Sequence, residues 1–260
     1  METIKQRLNA GKIVRVLVLG PLATTPKWVE VAGVLGGYHG IWIDQEHAAV
    51  SHHSLEAMLI ACRAAGLDAF ARVAPTDYGT VMRPLEAGCS GVMVAQIRTL
   101  AQVHQAVQWS RYPPRGIRGL YTSNYEAGYG TLEINARLEK VQHENWLAVQ
   151  IETAEAVDGV EEIAGADGVD CLFVGPADLA CTLGVPGQPM HPRCVDALQR
   201  VSAASKRAGI AWGALVVDND HATKCRELGC QLFSISGDLD SVRRGIRAAQ
   251  LQYQDLFSVD

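Results

Sequence analysis

The feature that most constrains this chain is a repeat of short apolar runs separated by longer segments with helical patterning. Eight such runs can be marked: Ile13–Leu19, Gly40–Asp44, Ala69–Val73, Gly91–Ile97, Trp146–Ile151, Cys171–Val174, Ile210–Val217 and Leu232–Ile235. Most are apolar at nearly every position, as strands covered on both faces must be. The segments between them read as helices. Ser54–Ala65 carries apolar residues at helical spacing and stops at Gly66, and Val195–Ala208 does the same before Gly209. Alternating strand and helix predicts a parallel sheet, either open or closed. Eight units in about 250 residues favour closure into a (β/α)₈ TIM barrel. No linker or change in composition interrupts the 260 residues, so one domain spanning 1–260 is expected.

Bulk properties remove several function classes. Nothing in the net charge of −5 suggests nucleic acid, which would want a basic face. No apolar run has the length of a membrane helix, and METIKQRLNAGK lacks the apolar stretch of a secretion signal. The seven cysteines, Cys62, Cys89, Cys171, Cys181, Cys194, Cys225 and Cys230, include no CxxC pair. An odd, scattered set suits a reduced, cytoplasmic protein.

In such a barrel the chemistry sits at the carboxyl ends of the strands. The polar residues there form a coherent group. Strand 2 ends in Asp44-Gln45-Glu46-His47, strand 3 carries Arg72, strand 4 ends near Gln96, strand 5 ends Gln150-Ile151-Glu152, and strand 6 runs into Gly175-Pro176-Ala177-Asp178. Glu152 and Asp178 come from adjacent strands. Either alone reads equally well as a helix-capping acid. Together they suit a hard divalent cation whose shell is completed by water and substrate. Arg72 is always charged and needs an anion. Asp44 or Glu46 could serve, as could a substrate carboxylate or enolate oxygen, and the position in the mouth favours substrate. His47 is the natural proton carrier, with Asp44 and Glu46 beside it. His52 and His53 fall in a polar helix start and read as solvated. The N–H groups of Ala177 and Asp178, at a helix start, are candidate donors to a substrate anion.

Other chemistries are poorly served. There is no GxGxxG after a strand and no Walker A run. None of the six lysines, Lys5, Lys12, Lys27, Lys140, Lys206 and Lys224, lies in a strand, which disfavours a Schiff-base mechanism. Asp218, Asp220, Asp238 and Asp240 occupy the last two loops and disfavour a phosphorylated ligand there.

Four blocks resemble the HpcH/HpaI family of pyruvate-dependent class II aldolases: Ile43-Asp44-Gln45-Glu46-His47-Ala48, Arg111–Gly119, Gln150-Ile151-Glu152-Thr153 and Val174–Leu179. Their order and separation carry the resemblance from Pro21 to about Ala248. It implies Glu152 and Asp178 as ligands of Mg²⁺, Mn²⁺ or Co²⁺, and Arg72 as the group that stabilises the enolate of pyruvate or hydroxypyruvate. It implies His47 as the base with Asp44 beside it, and Gln150 as a contact behind the metal or on the substrate carboxylate. Glu86 matches an acid that pairs with the histidine across a subunit interface. A homotrimer or homohexamer is implied, with the amphipathic tail Val242–Phe257 exchanged between barrels. The small-molecule substrates would be a 2-keto acid and an aldehyde. An oxaloacetate-type decarboxylase would use the same enolate, and a keto-acid-binding barrel would need no base at His47.

Two departures stand out. Ala95-Gln96 replaces a proline-led pair, and Glu126 stands where many members carry arginine. A free carboxylate at Glu126 would repel an anionic acceptor and select a neutral or polyhydroxy aldehyde. The long loop Tyr112–Gly130 is expected to set the substrate.

Overall fold

A computed structural model describes residues 2–22 and 25–258. Eight parallel strands close into a barrel in sequence order: β1 Val14–Leu19, β2 Gly40–Asp44, β3 Asp68–Val73, β4 Gly91–Val94, β5 Trp146–Ile151, β6 Cys171–Val174, β7 Ala211–Leu215 and β8 Leu232–Gly237. The expected strands are present, with small shifts at the ends. The largest is in β4, which stops at Val94 rather than Ile97. Ala95 still donates to Val73 O at 3.0 Å, a bond that proline could not make. Gln96 then turns left-handed, with φ +55, and leaves the sheet.

Alternation along each strand sorts side chains into two cores. One set points inward: Val14 and Val16, Trp42, Phe70, Met93, Trp146 and Ala148, Cys171 and Phe173, and Leu232. The Trp42 and Phe173 rings meet edge-on at 5.3 Å, and Phe70 tilts against Trp146 at 4.9 Å. The barrel interior is therefore filled and not open. Ile4 and Leu8, from the helix Ile4–Asn9, close its amino end. The larger core lies between strands and helices and includes Ile41, Ile43, Leu55, Leu85, Val149, Leu172 and Val201.

The same period-two rule places the site. Asp44 follows Trp42 by two residues, Arg72 follows Phe70, Gln150 and Glu152 follow Ala148, and Gly175 follows Phe173. All five positions thus belong to the inward series, on the mouth side of these core side chains. Asp44 and Arg72 are direct partners in the β2–β3 register.

The loop Tyr112–Gly130 lies away from the mouth of its own barrel. It joins the helix Leu100–Ser110 to the helix Ile134–Glu144, just before β5. A helix-to-strand connection lies at the amino ends of the strands, and this one packs there. Asn145, the residue before β5, donates to Glu126 Oε1 at 2.9 Å and accepts from Arg111 Nη1 through its carbonyl at 2.9 Å. Within one chain the loop sits opposite the barrel mouth. There it clamps the base through Glu126, Asn145 and Arg111.

The tail forms the helices Asp238–Gln252 and Gln254–Phe257, and it leaves Ile246, Leu251, Leu256 and Phe257 exposed. Among the described residues, no helix is long and apolar enough to cross a membrane.

Candidate active site

The carboxyl end of β2 turns sharply because Asp44 caps its own loop. Its Oδ1 accepts from the Glu46 N–H at 3.1 Å and from the His47 N–H at 3.4 Å. The same carboxylate grips Arg72 with two parallel bonds, Nε to Oδ1 at 3.0 Å and Nη2 to Oδ2 at 2.6 Å. Fork-to-fork pairing of this kind fixes the plane of the guanidinium. Glu46 Oε2 lies 3.2 Å from Arg72 Nε. The anion that Arg72 requires is thus supplied by its own chain. Its Nη1 makes no hydrogen bond among the described residues and remains available. The guanidinium carbon stands 4.8 Å from the centre of the Trp42 ring, which floors the mouth.

Across the mouth, Glu152 is fully buried. Its Oε1 accepts the Gln96 N–H at 2.7 Å, and its Oε2 accepts from Gln150 Nε2. Burial pushes its carboxyl up to about 7. The Gln96 N–H opposes this, while the charges of Glu46 and Asp178 push the same way. Glu46 is also raised, chiefly by burial, against the pull of Arg72 and His47. Asp178 is half-buried in the first turn of the helix Pro176–Thr182. The first bond of that helix is Leu179 N–H to Gly175 O, so the N–H groups of Ala177 and Asp178 precede it.

The mouth therefore holds Asp44, Glu46, Glu152 and Asp178 against one arginine. An excess of buried or half-buried carboxylate calls for a cation or for protons. The residues fit a divalent cation. Glu152 and Asp178 offer hard oxygens, and no third His, Cys, Asp or Glu closes the set among the described residues. Two protein carboxylates with an open remainder suit an oxygen-loving ion that keeps water or substrate. Room is made for them by Gly175, where a Cβ would stand 2.6 Å from Gln150 Nε2 and 2.7 Å from Glu152 Oε2. Gln150 Oε1 is buried without a hydrogen-bond partner.

His47 stands at the rim, with 61% of its side chain exposed and Nε2 3.8 Å from Glu46 Oε2. His52 and His53 are exposed at a helix start, as read from sequence. Glu86 is not brought to His47 within one chain. It lies on the outer helix Tyr78–Ala87, facing a cleft with His52, Arg63 and Tyr121.

Glu126 is not a free carboxylate within its own chain. It accepts from Arg118 Nη1 at 2.9 Å and Nη2 at 2.8 Å, from Tyr112 OH at 2.7 Å, from Arg137 Nη2 at 3.1 Å and from Asn145 Nδ2 at 2.9 Å. Burial pushes its carboxyl up, but Arg118, Tyr112 and Arg137 together outweigh this and hold it below the usual range. Its charge is spent within its own chain on two buried arginines at the barrel base.

Two contributors were not singled out from sequence as parts of the site. Glu46 was read only as a neighbour of His47 and Arg72, yet the Asp44 turn carries it into the mouth. Its signal was its place in the run Asp44–His47. Gln96 acts through a backbone N–H, which no side-chain pattern announces.

Fold and site together define a (β/α)₈-barrel protein whose mouth pairs an open carboxylate set with a clamped arginine. Residues 22–245 match the model of the HpcH/HpaI aldolase/citrate lyase family, and the chain belongs to that family. A hydroxypyruvate/pyruvate aldolase of Sagittula stellata is 33% identical over 217 residues, 84% of this chain and 85% of that protein. A 5-keto-4-deoxy-D-glucarate aldolase of Klebsiella pneumoniae is 34% identical over 84% of each chain. The solved structure of an HpcH/HpaI aldolase/citrate lyase family protein from Burkholderia cenocepacia J2315 aligns with a TM-score of 0.89 at 34% identity, over 98% of this chain and 100% of that one.

Proposed function

We propose that this protein is a class II aldolase that makes and cleaves 4-hydroxy-2-oxo acids through the enolate of pyruvate or a close 2-keto acid. One observation carries the reading: Glu152 and Asp178 meet at one barrel mouth with a guanidinium, Arg72, that keeps an unused N–H. The aldolase relatives support the reaction class. A divalent cation such as Mg²⁺, Mn²⁺ or Co²⁺, held by Glu152 and Asp178, supplies Lewis-acid polarisation of the 2-keto group when bound.

The chain's own groups do the rest. Asp44 holds Arg72 in one plane, and Arg72 Nη1 donates to the 2-keto oxygen as negative charge develops there. The N–H groups of Ala177 and Asp178 receive the substrate carboxylate. Gln150 spends its amide N–H on Glu152 and so fixes that ligand from behind. His47 takes the C3 proton and returns it on cleavage. Glu86 pairs with His47 of a neighbouring copy, in a homotrimer or homohexamer whose tail helices exchange. The exposed apolar residues of the tail support that assembly. Residues 1–260 form one barrel domain, and seven unpaired cysteines suit the cytoplasm.

The test is exchange of the pyruvate C3 protons with deuterated water, followed by NMR in chelator-treated protein. Exchange is expected only after Mn²⁺ or Mg²⁺ is restored. Folded protein that exchanges nothing with any divalent ion overturns the reading.

A further inference from the structure

Among the described residues, only Gln96, Tyr129 and Ser236 take positive φ without being glycine. Gln96 does so at the mouth. Most side chains are disfavoured there, and such conformations persist where surrounding contacts over-determine them. The contacts are visible on both sides of the residue. Ala95 N–H remains on Val73 O at 3.0 Å, so the chain is still anchored to β3 one residue earlier. Ile97 O accepts from Thr153 Oγ1 at 3.3 Å, one residue later. Between the two anchors the peptide swings, and the Gln96 N–H reaches Glu152 Oε1 at 2.7 Å.

Glu152 is then held by one donor on each oxygen, the Gln96 backbone on Oε1 and Gln150 on Oε2. A carboxylate pinned at both oxygens keeps one rotamer and still has lone pairs on both for a cation. The Gln96 side chain is exposed and makes no hydrogen bond among the described residues, so its backbone is what engages the site.

We propose that Gln96 is a positioning residue: its left-handed backbone aims an N–H at Glu152 and presets that carboxylate for a divalent cation. The inference rests on the cation reading above. It implies that the backbone conformation, and not the carboxamide, sets the affinity.

The test separates the two. Gln96→Gly and Gln96→Asn keep the N–H and tolerate positive φ. Gln96→Val keeps the N–H and resists positive φ because it is β-branched. Mn²⁺ binding to chelator-treated protein is read by EPR without substrate. The Gln96 amide proton is read by NMR in metal-free protein. Gly and Asn variants are expected to bind Mn²⁺ like the parent, and the Val variant about 10- to 100-fold more weakly, the usual cost of losing a contact behind a metal ligand. The parent's Gln96 amide proton should lie downfield and move upfield in Glu152→Gln. Should the Val variant fail to fold, the Gly and Asn variants and the amide shift still decide. Gly or Asn variants that lose Mn²⁺ affinity in folded protein, or an amide proton indifferent to Glu152→Gln, overturn the proposal. A Val variant that binds like the parent does so as well. If the parent binds no Mn²⁺ while its amide responds to Glu152→Gln, the cation reading fails, and presetting for a cation fails with it.

Discussion

Asp44 and Arg72 are register partners on adjacent strands and share two parallel hydrogen bonds, at 3.0 and 2.6 Å, inside the barrel mouth. The pair leaves one edge of the guanidinium for substrate. Arg72→Lys keeps the charge but cannot reproduce the fork. It should lower the rate of pyruvate C3 exchange by about 10²–10³, the cost of one preorganised donor. Arg72→Ala should lose at least as much, and it also leaves Asp44 and Glu46 as unpaired buried acids. Circular dichroism and thermal melts distinguish chemistry from unfolding. Full exchange in a folded Arg72→Ala variant would remove Arg72 from the mechanism.

Glu152 and Asp178 should be needed for metal and not for folding. Glu152→Gln and Asp178→Asn remove charge from a crowded acidic mouth. Each should lose Mn²⁺ binding in EPR titrations while its melting temperature holds or rises in metal-free buffer. Retained binding in either variant counts against the ligand pair.

Gly175 supplies space. A methyl group there meets Gln150 Nε2 at 2.6 Å and Glu152 Oε2 at 2.7 Å, and its φ of −93 suits any residue. Gly175→Ala should therefore displace Glu152 without backbone strain. Mn²⁺ affinity should drop by about 10- to 100-fold. An unchanged titration would mean that Glu152 moves without cost.

His47 discriminates an enzyme from a binding protein. In His47→Ala, C3 exchange should slow by about 10²–10⁴, the usual contribution of a positioned acid or base. Mn²⁺ binding should persist, since among the described residues no hydrogen bond or ion pair joins His47 to Glu152 or Asp178. Unaltered exchange would assign the proton transfer to another group.

Glu126 governs stability at the opposite end of the barrel. Glu126→Gln leaves Arg118 and Arg137 buried with a neutral partner, which should cost about 3–5 kcal/mol in denaturant melts. The sign with pH follows from its lowered carboxyl. Its stabilisation is present above the ordinary value of 4.5 and is lost as pH falls through the lower folded-state value. The variant should thus show a shallower acid limb below pH 4.5 than the parent. A parallel limb would show that the network contributes nothing through this charge.

Much of the fold was legible because apolar strand-length runs alternating with helices predict a parallel sheet, and eight of them in about 250 residues favour a closed one. β2, β5 and β6 match their expected limits to the residue. β4 does not, because the chain turns left-handed at Gln96, whose N–H meets Glu152, 56 residues away.

The sequence by itself determined that Asp44, Arg72, Gln150 and Glu152 stand at the carboxyl ends of strands, where period-two alternation gives each strand one inward series. Only the tertiary structure decided what each one touches. Arg72 finds Asp44 across a strand boundary, Glu46 is carried into the mouth by a turn, and Glu126 meets Arg118, Arg137 and Asn145 at the base. At Arg72 the sequence left an own-chain carboxylate and a substrate anion both open, and the structure shows Asp44 and Glu46 on the guanidinium. At Glu126 the sequence showed a charge but not the arginines that pair with it. Electrostatics depends on distance in space, whereas a sequence records only distance along the chain.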